Sequence, residues 1–408
     1  MIYIVNRFGF PDVSATAQLA SDLAKGFIEK GLDCTIVCGP SSGVSGTESS
    51  CDGVSMRTIH MLGLASRSGS IVRRMWDALL FSGSLLAFCL VVAQKRDVII
   101  VMTDPPFNMF PVLVCRWVRR YFVINWLQDI YPEVAVELGA ITRSRLSRVL
   151  TFFRDFSLKR ADCNVVIGDL MRDYVQSRGV DPLKIALVPN WVPGDAVEAF
   201  RNVDNGLRAA LGLTDRFVVG YSGNLGMAHD FETMLNAAEK LGTNSNIRFV
   251  VFGGGVNYRR MKAGVAAKSL EKMFIFQPHQ PLSKLSESLG SIDVHWLSLL
   301  PAVEGYIVPS KIYGILASGR PVVFIGSPDG EVARLVCTNG LGACIRVGDY
   351  ESLVRFLEWI LSEPEQLDSC GRRGRELYIS TYSRVSAISR FTDIVAKVAG
   401  PTVRLVSH

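Results

Sequence analysis

Residues 218–241, VVGYSGNLGMAHDFETMLNAAEKL, decide how the chain is read. An apolar, β-branched run stops at Ser222-Gly223-Asn224, a further glycine follows at 226, and helical spacing begins near Asp230. Glycines at such a strand-to-helix turn let backbone amides approach a phosphate, whose charge the helix N-terminus then stabilises. A tight turn with no ligand reads the same way on this stretch alone. The neighbouring stretch FVVFGGGVNYRRM (249–261) repeats the grammar with Gly253 and Gly254 at the turn. It lacks the G-x-G-x-x-G spacing and the later acidic residue of a dinucleotide fingerprint, which argues against nicotinamide chemistry.

Working outward, short apolar strands at 273–277, 293–298 and 321–326 complete one series. A second series lies before it at 2–5, 34–39, 97–103, 122–129, 163–168 and 184–190. Apolar on both faces and separated by helical patterns, these strands suit parallel sheets covered on both sides. The composition turns polar and irregular after Pro189. The expectation is therefore an α/β chain of two doubly wound, Rossmann-like domains, residues 1–200 and 201–385, facing a central cleft. A helix in 386–408 is expected to cross the junction. Ligands of such sheets bind beyond the carboxyl ends of the strands.

The stretch EGYIVPSKIYGILASGRPVVFIG (304–326) is the richest in chemistry. Glu304 and Lys311 bracket a loop containing Ser310, and a short helix follows from Ile312. A carboxylate suits a ribose diol, and an ammonium suits a leaving diphosphate. A capped helix with a surface ion pair is the plainer alternative.

Composition narrows the class. The chain has 408 residues, 49% hydrophobic and 20% charged, enough to bury large cores and too apolar for a disordered tail. Its formal charge of +6 is too small and dispersed for nucleic acid, though it suits an anionic membrane surface. Nine cysteines without a C-x-x-C read as reduced thiols, and five histidines without ligand spacing offer no zinc site. The start, MIYIVNRFGF, has no signal-peptide pattern, which predicts a cytoplasmic catalytic face. Residues 71–96 stand apart: a run uncharged from Ala78 to Ala93 is flanked by Arg73, Arg74, Lys95 and Arg96. It falls short of the ~20 apolar residues of a spanning helix. It reads either as a core helix or as one dipping into a single leaflet, with Trp117, Arg119, Arg120, Arg143, Arg145 and Arg148 extending a basic, aromatic rim.

Taken together, FGFPDVSATAQLASDLAKGF (8–27), TDPPF (103–107), NWLQDIYPEVAVELGAI (125–141), VPNWV (188–192), YSGNLGMAHDF (221–231) and VPSKIYGILASGRPV (308–322) resemble retaining GT-B glycosyltransferases of family 4. Within that family the likeness is to bacterial surface-polysaccharide enzymes that transfer N-acetylfucosamine or other amino sugars. The resemblance implies a UDP-sugar donor, without a metal or other cofactor. Gly223, Asn224, Gly253, Gly254, Ser310 and Lys311 would hold the nucleotide-sugar, with Glu304 near the ribose or sugar. Ser14, Ala15 and Thr16, in the first loop, would bring amides towards the leaving phosphate and acceptor, and Asp129 would face the cleft, accepting the acceptor's proton or orienting its hydroxyl. The acceptor would be a saccharide on a polyprenyl diphosphate at the inner leaflet, the enzyme lying peripherally on the cytoplasmic side of the membrane. Two departures bear on this: Gly314 stands where relatives carry a second glutamate, and Met227 where they carry an arginine or lysine. His229 and His279 are expected in loops near the donor. A non-catalytic nucleotide-sugar-binding partner and a GT-B epimerase are the rival readings.

Overall fold

In the computed structural model, which describes residues 1–10, 12, 14–39, 48–51, 54–58, 71–193, 197 and 205–400, the chain divides into two units. One comprises Met1–Pro189 with Val385–His408, the other Asn190–Arg384.

The first unit runs β1 (Ile2–Val5), α1 (Ala15–Glu29), β2 (Cys34–Cys38), β3 (Glu48–Cys51), β4 (Val54–Thr58), α2 (Ile71–Val91), β5 (Val98–Met102), α3 (Met109–Arg119), β6 (Phe122–Trp126), α4 (Glu133–Glu137), α5 (Arg145–Arg160), β7 (Cys163–Val166), α6 (Asp169–Ser177) and β8 (Ile185–Leu187). Among the described residues its sheet has the order β3-β4-β2-β1-β5-β6-β7-β8, parallel except for β3, which pairs antiparallel with β4. The sequence reading missed this β3–β4 hairpin, because Glu48, Ser49, Ser50 and Arg57 give it no apolar run. The order reverses beside β1, which pairs with both β2 and β5, and α1 starts in the loop beyond that strand. Tyr3, Val5, Ile99, Val101 and Val123 of the sheet pack with Phe81, Leu85, Phe88 and Cys89 of α2 and with α3.

That packing bears on the reading of residues 71–96. One face of α2 is packed into the core, as in a covering helix of a doubly wound sheet, while Trp76, Leu79, Leu90 and Val91 stay exposed along its other side. Among the described residues no helix is long and apolar enough to cross a membrane.

The second unit runs α7 (Gly206–Ala210), β9 (Phe217–Asn224), α8 (Glu232–Leu241), β10 (Ile247–Gly254), α9 (Val256–Ala267), β11 (Phe274–Gln277), α10 (Leu285–Gly290), β12 (Val294–Ser298), α11 (Lys311–Ser318), β13 (Val322–Ile325), α12 (Glu331–Asn339), β14 (Gly342–Ile345), α13 (Tyr350–Ser362) and α14 (Pro364–Leu377). Its sheet, order β11-β10-β9-β12-β13-β14, is parallel throughout and reverses between β9 and β12. The sequence reading had no counterpart for β14, whose four residues GACI include a glycine at φ 148°. A buried bidentate pair ties α7 to the sheet: Arg208 reaches both oxygens of Asp293 at 3.0 and 2.9 Å, and Asp293 also accepts from the Val218 amide.

The expected division at 200/201 falls among residues 198–204, outside the described residues, and the contacts divide the chain at Pro189/Asn190 instead. From Val385 onward, α15 (Arg384–Ala399) belongs to the first unit. Its apolar stripe Ile388, Phe391, Ile394 and Val395 explains why. Phe391 meets the Trp126 ring edge-on at 4.7 Å, and Ile388 fills the space where any side chain on Gly26 of α1 would sit.

Candidate active site

In the second unit, the strand order reverses where β9 and β12 separate, and such a crevice beyond the strand ends is the expected ligand position. Gly223, Gly253 and Gly255 all take φ between 114° and 144°, values that L side chains avoid. A methyl on Gly253 would collide with the Gly223 carbonyl, so Gly253 is required for the close approach of β9 and β10. Asn224 lies exposed at the tip, its carbonyl accepting from the Tyr221 hydroxyl at 2.9 Å.

Lys311, the first residue of α11, lays its stem across Gly223: a methyl there would come 2.5 Å from Lys311 Cε. Its ammonium lies 5.4 Å from the centre of the Tyr221 ring and 3.3 Å from His229 Nε2. His229 Nδ1 donates to the Ser298 carbonyl at the end of β12, an assignment made from that contact, so Nε2 presents its lone pair to the ammonium. Burial pushes Lys311 down to about 8. Burial, with Lys311's charge second, pushes His229 down to about 3, which keeps the imidazole neutral at all working pH values. His279, across from Gly254, is lowered by the same two causes. The result is a half-buried ammonium beside glycine peptides at a strand-end crevice. That is what an anionic group with several oxygens requires.

Glu304 is held by the start of α12, with Oε2 accepting from the Glu331 amide at 3.4 Å and Oε1 occupying the space a side chain on Gly330 would need. Oε1 is buried and has no hydrogen-bond partner among the described residues. Burial raises this carboxyl to about 7, against the pull of the Glu331 amide. The charged groups acting on it are Glu331 and Arg334 of α12. Ser310 is the N-cap of α11 without a side-chain cap bond. Gly314 has room: the nearest atom to an added methyl is Leu289 Cδ1 at 3.5 Å.

In the first unit, Ser14 is the N-cap of α1, and Ala15 and Thr16 form its first turn. This corrects the placing of Ala15 and Thr16 in a loop, since the helix opens three residues before Gln18, where the apolar spacing becomes visible. The Ser14 amide is held by Asp12 at 2.7 Å, whereas its buried hydroxyl has no hydrogen-bond partner among the described residues. Asp129 follows β6, its amide bonded to the Thr103 hydroxyl at 3.4 Å. Burial, and then the charge of Asp104 in the loop after β5, raises Asp129 to about 6. It lines a pocket with Thr103, Phe107, Asn125, Tyr131 and Arg154. Arg154 is fixed there by Glu133 through both its terminal nitrogens, at 3.0 and 2.6 Å.

Sequence reasoning gave His229 and Asp104 too little weight. His229 belongs to a polar turn whose outward position is not decided by spacing, and Asp104 approaches Asp129 only because β5 and β6 are neighbours.

Residues 15–191 match the model of the glycosyl transferase 4-like domain, and residues 205–377 that of glycosyl transferases group 1. The probable glycosyltransferase WbjE of Pseudomonas aeruginosa is 24% identical over 79% of this chain and 79% of its own length. The putative colanic acid biosynthesis glycosyl transferase WcaI of Escherichia coli strain K12 is 25% identical over 70% of this chain and 72% of its own. Among solved structures, HepE of Anabaena in complex with UDP and glucose superposes with a TM-score of 0.74 at 11% identity, covering 97% of this chain and 99% of that one. With a match to each of its two sheet-bearing units, the chain is a GT-B glycosyltransferase of the group 1 type.

Proposed function

We propose that the chain is a retaining transferase that moves an N-acetylated amino sugar from a UDP-sugar to a lipid-linked saccharide during synthesis of a cell-surface polysaccharide, working peripherally at the cytoplasmic face of the inner membrane. The observation that carries this reading is Lys311 lying across Gly223, with its ammonium beside the end of β9. The names of WbjE and WcaI support a bacterial polysaccharide product, and UDP in the HepE complex supports the donor nucleotide.

In this reading the bond from the anomeric carbon to the diphosphate breaks with its electron pair passing to the phosphate oxygen. Charge builds there as the sugar becomes oxocarbenium-like. Lys311 and the amides around Gly223, Asn224, Gly253 and Gly254 stabilise that charge, and fixed donors of this kind lower a barrier without reorganising. His229, neutral and accepting from Lys311, favours the ammonium over the amine. The acceptor oxygen bonds to the anomeric carbon and its proton leaves, to the departing phosphate or to Asp129. A carboxyl raised to about 6 is ionised at neutral pH yet basic enough to take that proton. With a lysine in place, the leaving group needs no metal. Glu304, held at α12, would meet the sugar or ribose through its unpartnered oxygen.

The test is nucleotide release from a panel of UDP- and GDP-sugars with a polyprenyl-diphosphate-linked saccharide, comparing the wild type with Lys311→Ala. Acceptor-dependent release from one donor, reduced ~10²–10³-fold by the substitution, is the expected result. Release without acceptor would point to an epimerase or hydrolase. A protein that binds UDP but turns over no donor would be a non-catalytic partner.

A further inference from the structure

α3 and α5 pack side by side in the first unit, and both turn apolar stripes towards solvent. On α3 the stripe is Phe110, Val114, Trp117 and Val118, with Trp117 79% exposed. On α5 it is Leu146, Val149, Phe153 and Phe156, with Phe152 beside it at 67%. Both follow the i, i+3, i+4, i+7 rule of a helix face that expects a partner. Phe110 and Phe153 meet edge to face with ring centres 5.6 Å apart, which joins the stripes into one surface. A groove of about 700 Å³ runs between the helices, walled by Phe110, Val114, Trp117 and Phe156 and edged by Lys159, Arg160 and Asp162, whose charge is met by Arg116 at 2.5 Å.

Charge says what covers it. α3 contains no acidic residue, and α5 contains one, Asp155, which is bonded to Arg154 and Arg178. Around the apolar surface stand the exposed Arg120, Arg145, Arg148, Lys159 and Arg160, with Lys95 and Arg96 just beyond α2. Arg119 joins α3 to the end of α2 by donating to the Val91 carbonyl at 2.9 Å. Aromatic and aliphatic groups in the middle with cations at the rim match a bilayer interface, where rings enter the headgroup layer and guanidinium groups meet lipid phosphates.

We propose that the α3–α5 face seats the protein on an anionic lipid bilayer, with Trp117 and Phe152 entering the interface and Arg145, Arg148 and Arg160 binding phosphates. The inference rests on the peripheral-membrane part of the proposed function and centres the contact on the neighbours of α2, whose Phe81, Leu85, Phe88 and Cys89 are packed in the core. Docking of this kind does not depend on turnover.

The experiment floats the full chain with vesicles of phosphatidylcholine and with vesicles that also contain phosphatidylglycerol. The wild type should float with the anionic vesicles and lose binding as salt rises. The pair Trp117→Glu and Phe152→Glu, and separately the pair Arg145→Glu and Arg148→Glu, should each weaken binding more than tenfold while UDP affinity stays within twofold of the wild type. That last reading shows the variants to be folded. Absence of flotation by the wild type, or flotation unchanged in both variants, would overturn the proposal. So would a solution dimer dissociated by Trp117→Glu, which would make the face an interface between copies. A wild type that floats but binds no UDP would sink the transferase reading and leave the docking face standing.

Discussion

The strand ends of the two units differ in charge while sharing an architecture. In the second unit the crevice holds an ammonium, a neutral imidazole and glycine peptides; in the first, the loops after β5 and β6 hold two carboxylates, Asp104 and Asp129. Burial acts on both and moves them in opposite directions, Lys311 down to about 8 and Asp129 up to about 6. The lesson is that one kind of sheet, through the loops beyond its strands, places a buried cation in one copy and a buried carboxylate pair in the other. Each group is brought close to neutral pH by the same physical cause.

The largest expected effect breaks the cationic half. Lys311→Ala removes the side chain that lies against Gly223, and turnover should fall ~10²–10³-fold, read as nucleotide release. The carboxylate half comes next. Asp129→Asn should lower kcat by about 10²-fold if the carboxylate takes the proton, and only a few-fold if it orients a hydroxyl.

A pH profile sharpens the contrast. For the free enzyme, kcat/KM should rise as pH climbs through about 6, where Asp129 loses its proton, and fall through about 8, where Lys311 loses its own. Asp129→Asn should abolish the acid limb and leave the alkaline one. His229→Leu should shift the alkaline limb to lower pH, because the ammonium loses the lone pair that favours it.

Smaller effects test the packing. Gly223→Ala places a methyl 2.5 Å from Lys311 Cε at a φ of 128°, and the strain, about 1–3 kcal/mol, should appear as a lower Tm together with a weaker UDP affinity. Gly314→Glu should be the mildest. The site has room for its Cβ, and turnover should change less than threefold if the missing carboxylate is dispensable.

Much of this was legible in the sequence because continuous β-branched runs bounded by glycine leave little choice of element. Ser222-Gly223-Asn224 and Gly253-Gly254 announced the ends of β9 and β10, and Lys311 announced itself by opening a helix straight after a proline loop. The polar hairpin β3–β4 was not legible, since an edge strand paired to one neighbour needs no apolar alternation. The partner of Glu304 was not legible for a different reason. That partner is the start of α12, 27 residues later, a contact created by the return of the chain through β13. Membership of α15 was equally hidden: a stripe of Ile388, Phe391 and Val395 says that something is covered but not what.

That last helix fixes an order of events on the ribosome. Residues 190–384 emerge after most of the first unit and before its final helix, so the second unit is free to fold while Trp126 and Gly26 still lack Phe391 and Ile388. The unit that begins first is finished last. A nascent chain arrested before residue 385 would therefore carry one completed sheet and one with an uncovered apolar seam, an open berth for a chaperone.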